Sequence, residues 1–143
     1  MKNRLFWWCN IGFPLLCGAI LYLIFCPETR LCALVSARLP FPITTFGAAA
    51  GSLPVFVRCY LMDMLWAYSL IFALTRVTGG KKCLPGFIIA AAFEIAAEML
   101  QSVGIMPGIF DRMDILLEIT ASLLGTLMIV IYHSKTERER DNQ

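Results

Sequence analysis

The chain has 143 residues, of which 59% are hydrophobic and 15% are charged. A soluble domain typically has about 45–50% apolar and about 25% charged residues, so the composition excludes an ordinary soluble protein and indicates a single-domain integral membrane protein. The formal net charge of +2 is too small to indicate a nucleic-acid-binding protein, because membrane proteins also use lysine and arginine to set their orientation.

The first predicted element is a helix from about residue 5 to residue 25. The apolar run is about as long as a bilayer is thick, and no small-residue cleavage site of a secretory signal follows it. Pro27 ends the helix. Trp7 and Trp8 are predicted to anchor it at the membrane interface. We therefore expect a retained transmembrane helix.

Residues 28–57 do not fit a spanning helix. Leu31 to Leu39 is apolar but too short to cross a bilayer. Pro40, Pro42 and a small-residue run at 47–51 follow it. An interfacial helix with an irregular loop lying on the membrane fits this pattern. A re-entrant loop that covers the acidic helices is the alternative.

Three more transmembrane helices are predicted at about 58–75, 84–103 and 111–132. The expected fold class is an all-α four-transmembrane-helix bundle, with the interfacial or re-entrant segment between helices one and two. Residues 1–134 form its single transmembrane domain, and 135–143 form a charged cytoplasmic tail. His133 is predicted to lie past the last helix, in solvent.

The basic residues predict the orientation, because cytoplasmic segments carry an excess of lysine and arginine. With the N-terminus inside, eight lie on the inner side and four on the outer side. The inner ones are Lys2, Arg4, Arg76, Lys81, Lys82, Lys135, Arg138 and Arg140, and the outer ones are Arg30, Arg38, Arg58 and Arg112. We therefore expect a multi-pass protein of the plasma membrane with both termini in the cytoplasm.

Acidic residues recur at helical spacing in the last two predicted helices. At roughly 100° per residue, side chains three and four positions apart share a face. The polar residues that share a face are Glu94, Glu98 and Gln101 in the third helix and Asp111, Asp114, Glu118 and Ser122 in the fourth. With Asp63 of helix two, these acids gather in the outer half of the predicted bundle. A membrane protein tolerates such acids where they face its interior or a water-filled cavity.

Several of these residues also have a structural interpretation. Asp111 after a Gly/Pro break is typical of a helix N-cap. Glu98 and Gln101 could lie at the water interface. Glu94 and Glu118 lie deeper, and an internal arginine is the structural alternative for both. Arg58 and Arg112 are the candidate partners. Gly125 is predicted to permit a close contact between helices.

These residues suggest roles in a binding or catalytic site. The candidates for catalysis are Glu98, Asp111, Asp114 and Glu118, and those for substrate binding are Asp63, Glu94, Gln101, Arg58 and Arg112. Carboxyl oxygens suit hard divalent cations such as Mg, Ca or Mn, whose ligands would be Glu98, Asp111 and Asp114. Alternatively, crowded acids share protons, one acting as acid and another as base. Ser122 has no histidine partner, so no covalent nucleophile is indicated.

Six cysteines lie at scattered positions: Cys9, Cys17, Cys26, Cys32, Cys59 and Cys83. They form no C-x-x-C pair and have no nearby histidine cluster, so we interpret them as small buried hydrophobic residues. One disulfide among the three outer cysteines, Cys26, Cys32 and Cys59, is the alternative.

The run E-M-L-Q at 98–101, a short break, and D-R-M-D-I-L-L-E-I-T-A-S-L-L-G at 111–125 resemble the signature of the VanZ-like family. These are small membrane proteins whose name-giving member is linked to resistance to teicoplanin, a glycopeptide antibiotic. The positions that match the family pattern are Glu98, Gln101, Asp111, Asp114 and Gly125. Glu118 stands where the family has Asn, and Ala121 stands where it has the first of two glycines. Helix two retains only Asp63 of a D-K-x-x-H pattern.

The resemblance covers the last third of the chain strongly and helix two weakly. It implies a protein in the lipid bilayer that binds or processes a cell-envelope or lipid-linked substrate. It implies no settled reaction, so an enzymatic role stays open. The alternative is a non-enzymatic accessory subunit or a small ion- or proton-coupled carrier. Neither hypothesis involves nucleic acid.

Overall fold

The structure is a computed structural model, which describes residues 2–25, 34–35, 37–38, 56–57, 60–79, 83–106 and 110–142. Those parts of the chain contain four helices: α1 (Lys2–Phe25), α2 (Leu61–Val77), α3 (Cys83–Ser102) and α4 (Arg112–Asp141). Three of the four contain segments long and apolar enough to cross a membrane, namely Arg4–Ile24, Cys83–Ser102 and Arg112–Glu139. The predicted all-helical, multi-pass membrane protein is confirmed to this extent.

The remaining predicted elements are described only in part. Upstream of α2, the Tyr60 amide donates to the Phe56 oxygen at 3.0 Å, and the Met64 amide donates to the Tyr60 oxygen at 3.1 Å. Both bonds have the four-residue spacing of an α-helix. The predicted interfacial or re-entrant segment at 28–57 lies largely outside the described residues. So do Cys26, Cys32 and Cys59, whereas the three described cysteines are free thiols.

Helix α2 lies at the centre of the bundle and packs against each of the other three helices, and α3 also packs against α4. Two glycines allow α3 and α4 to approach α2 closely. A Cβ atom added at Gly125 of α4 would collide with Ile71 Cγ2 of α2, and one added at Gly86 of α3 would lie 2.8 Å from Thr75 Oγ1. Small residues at such contacts let helix backbones approach closely, as predicted for Gly125.

An apolar cluster joins the start of α1 with the second halves of α2 and α4. Its buried members are Trp7, Ile71, Phe72 and Ile129. The rings of Phe6 and Tyr132 stack beside it, with centroids 3.7 Å apart. Because these contacts bring the start of α1 next to the late part of α4, we call this end of the bundle the terminal end.

Two predictions about residues at the terminal end are wrong. Trp7 is 5% exposed and belongs to the core instead of anchoring the helix at the interface, whereas Trp8 is 67% exposed. His133 is not in solvent past the last helix, because α4 continues to Asp141. The His133 ring lies 6.4 Å from that of Trp7, and its buried Nε2 has no hydrogen-bond partner among the described residues.

Candidate acidic site

The candidate site begins at the end of the bundle opposite the terminal end, where α3 ends and α4 begins. Gly104 follows α3 with a φ of 73°, a left-handed conformation that lets the chain turn after a helix. The Ile105 amide then donates to the Leu100 oxygen at 3.0 Å. This turn brings the end of α3 and the start of α4 to the same end of the bundle.

Asp111 links three helices there. Its Oδ1 accepts a hydrogen bond from the Met113 amide at 2.9 Å, which makes it the N-cap of α4, as the capping interpretation expected. Its Oδ2 accepts from the Tyr60 hydroxyl at 3.1 Å, next to the start of α2. Its own amide donates to Glu98 Oε2 of α3 at 3.3 Å. Asp111 therefore both caps α4 and belongs to the candidate site.

Three more carboxyl groups lie near this link. Glu98 is 4% exposed, and it interacts electrostatically with the half-buried Asp63 of α2. Asp114 interacts with Asp63, Glu98 and Asp111, and its Oδ1 has no hydrogen-bond partner in the described part of the chain. Like charges in a poorly solvated place repel strongly, so this end of the bundle attracts cations and hydrogen-bond donors.

A deeper layer of the site contains Glu94, Ser122 and Glu118. Glu94 is 4% exposed, and its Oε1 accepts a hydrogen bond from the Ser122 hydroxyl at 2.7 Å. The same hydroxyl lies 3.3 Å from the Ala67 oxygen of α2. Glu118 interacts electrostatically with Glu94, Asp63, Glu98 and Asp114. The site thus runs from Asp111 into the bundle.

The other predicted site residues are less central. Gln101 is half-buried in the last turn of α3, and Arg112 is exposed at the first position of α4. Arg58, the other predicted arginine partner, lies outside the described residues. The described partner of Glu94 is Ser122, whereas an arginine was the structural alternative.

Sequence reasoning missed Tyr60 as a member of the site. Its hydroxyl donates to Asp111, and its position three residues before Asp63 places both on one face of a helix. That spacing is the signal in the sequence, although it is weak because the chain contains other tyrosines in apolar segments.

The described side chains do not form a metal-ligand group. Across the described ranges, no three His, Cys, Asp or Glu side chains are arranged so that they could hold a metal ion. The divalent-cation site for Mg, Ca or Mn that the sequence suggests at Glu98, Asp111 and Asp114 stays a prediction. Glu98 and Asp111 are joined through the Asp111 backbone amide, which donates to Glu98 Oε2.

Comparisons with family models, with curated proteins and with solved structures find no match for this chain. The resemblance to the VanZ-like family therefore stays a prediction from the motif at 98–125.

Proposed function

We propose that this chain is a VanZ-like integral protein of the plasma membrane whose acidic site binds part of a cell-envelope or lipid-linked substrate. One observation carries the proposal: carboxyl groups of α2, α3 and α4 meet at one end of the bundle. Asp111 is hydrogen-bonded there to Tyr60 and, through its amide, to Glu98. Acids inside a membrane domain are expensive and mark functional sites by default.

The chemistry of the site restricts the part of the substrate that it would bind. Carboxylates accept hydrogen bonds from hydroxyl and amino groups and repel phosphate. A sugar or an amine-bearing headgroup therefore fits the site better than the phosphates of a lipid carrier. If the protein is an enzyme, we propose Glu98 and Asp114 as its acid and base, because the two carboxyls interact electrostatically and neighbouring carboxyls can divide those roles.

The proposed topology has four membrane spans. With 17 residues, α2 is about 26 Å long at 1.5 Å per residue, close to the roughly 30 Å core of a bilayer. The stacking of Phe6 on Tyr132 supports placing both termini on one side. The excess of lysine and arginine at that end favours the cytoplasm. The acidic site then opens to the outside.

The proposal is tested with isosteric variants of two acids. The chain, expressed in a teicoplanin-susceptible bacterial host, should raise the drug concentration needed to stop growth. Glu98→Gln and Asp114→Asn should abolish this protection while reaching the membrane in normal amounts, because each keeps its shape and loses its charge. The measurement is drug susceptibility beside membrane abundance.

Glu137→Gln is the matched control, because Glu137 is exposed on the last part of α4 and should behave like the wild type. Full protection by both site variants would overturn the acidic site as the functional site. Absence of protection by the wild type would overturn the resistance-like function.

A further inference from the structure

The carboxyl group of Glu94, in the deeper layer of the site, has few hydrogen-bond donors around it among the described residues. Its side chain is 4% exposed, and Oε2 has no hydrogen-bond partner among the described residues. Oε1 lies 2.7 Å from the Ser122 hydroxyl. An ionised carboxylate has about four acceptor sites, and burying it is costly unless donors occupy them. In the part of the chain that the structure describes, this carboxyl group has one hydroxyl as its partner, which stabilises an ionised group poorly.

Ser122 has one hydroxyl hydrogen and, among the described residues, two polar neighbours, Glu94 and the backbone oxygen of Ala67 at 3.3 Å. The Ala67 oxygen can only accept a hydrogen bond. A carboxylate also only accepts, whereas a carboxylic acid can donate. Both contacts can therefore be hydrogen bonds at the same time when Glu94 is protonated. Glu94 then donates to the Ser122 hydroxyl oxygen, and the Ser122 hydroxyl donates to the Ala67 oxygen.

A neighbouring acid of Glu94, Glu118, favours the same state. Asp63 of α2, Glu98 of α3, and Asp114 and Glu118 of α4 are all acids, and Glu118 interacts electrostatically with Glu94 and with the other three. Glu118 also lies one helical turn before Ser122, on the same face of α4. A proton on Glu94 removes one negative charge from this crowded set.

We propose that Glu94 is a proton-binding site and that its proton switches the Ser122 hydroxyl from Glu94 to the Ala67 oxygen. The step is a protonation: a hydronium ion transfers its proton to a carboxylate oxygen and leaves as water, no covalent bond within the protein breaks, and the side chain becomes neutral. Because Ser122 and Ala67 belong to different helices, the proton strengthens the contact between α4 and α2. This site goes beyond the proposed substrate site, since it needs no substrate.

Infrared spectroscopy tests the proposal on the full chain in phosphatidylcholine vesicles at neutral pH. Glutamate labelled with carbon-13 at the side-chain carboxyl separates its protonated C=O band from that of aspartic acid. The wild type should show the labelled band, and Glu94→Gln should lose the intensity of one carboxyl group per chain. Ser122→Ala should shift the band, because the carboxylic acid loses the acceptor of its hydrogen bond.

Glu137→Gln, which changes an exposed glutamate, should leave the band unchanged. Equal band intensity in Glu94→Gln and the wild type would overturn the proposal, and so would a band that Ser122→Ala leaves unmoved. If size-exclusion chromatography shows that Glu94→Gln does not fold, the band position in Ser122→Ala tests the proposal by itself. The spectra contain no substrate, so their outcome is separate from that of the drug-susceptibility assay.

Discussion

Leucine in place of Gly125 should separate α2 from α4 and leave the acidic site unformed. The first added carbon would already collide with Ile71 Cγ2, and it would lie 3.4 Å from the Tyr68 backbone oxygen. Ile71 is fully buried, and its β-branched side chain has little rotational freedom. Overpacking of this kind costs about 1–3 kcal/mol, and more when the backbone has to move. The measurement is the midpoint of thermal unfolding in detergent.

Gly12→Leu in α1 is the matched control, because no atom lies within 4 Å of a Cβ added at Gly12. Both variants replace a helical glycine, so both gain the same helix propensity of about 1 kcal/mol. The midpoint should therefore fall in Gly125→Leu and stay or rise in Gly12→Leu. Equal midpoints in the two variants would show that α4 does not pack on α2 at Gly125.

Phe72→Ala should have the second large effect, by loosening α1 at the terminal end. The Phe72 ring is fully buried and lies 5.7 Å from the Phe6 ring and 5.8 Å from the Trp7 ring, centroid to centroid. Such a truncation costs about 3–5 kcal/mol in a soluble core. The cost should be smaller here, because lipid tails solvate an apolar side chain as well as protein does. The cavity and the lost ring contacts should still lower the unfolding midpoint clearly.

Phe93→Ala is the control for this prediction. It makes the same chemical change in α3, where the side chain is 65% exposed, so it removes contacts with lipid and leaves no cavity. Its unfolding midpoint should stay close to that of the wild type. A loss of stability as large as that of Phe72→Ala would place Phe93 in a protein contact and contradict the arrangement of the helices.

Helical periodicity was enough to find the shared faces of the site, because spacing within one helix is a local property. Glu94 and Glu98 are both buried, as their four-residue spacing and the cost of acids in lipid suggested. The cap at Asp111 was predictable for the same reason, since the Gly/Pro break and the following helix lie next to it in the sequence.

Contacts between helices depend on their relative rotation and depth, which spacing within one helix does not determine. The hydrogen bond from Ser122 to Glu94 needs α3 and α4 to meet at a particular height. The Tyr60 bond to Asp111 needs α2 to reach the same end. The place of Trp7 near the end of a helix predicts an interface position, whereas the packing of α1 against Phe72 buries it.

Labelling of single cysteines tests most directly whether the acidic end of the bundle opens outside the cytoplasm, as we propose. All six native cysteines are first changed to Ala or Ser. Ile105→Cys places a thiol at a 71% exposed position after α3, and Thr78→Cys places one at the exposed end of α2. In intact cells, a membrane-impermeant thiol reagent should label Ile105→Cys, and it should label Thr78→Cys only after permeabilisation. The reverse pattern would place the acids on the cytoplasmic side and contradict an outward-facing site for an envelope substrate.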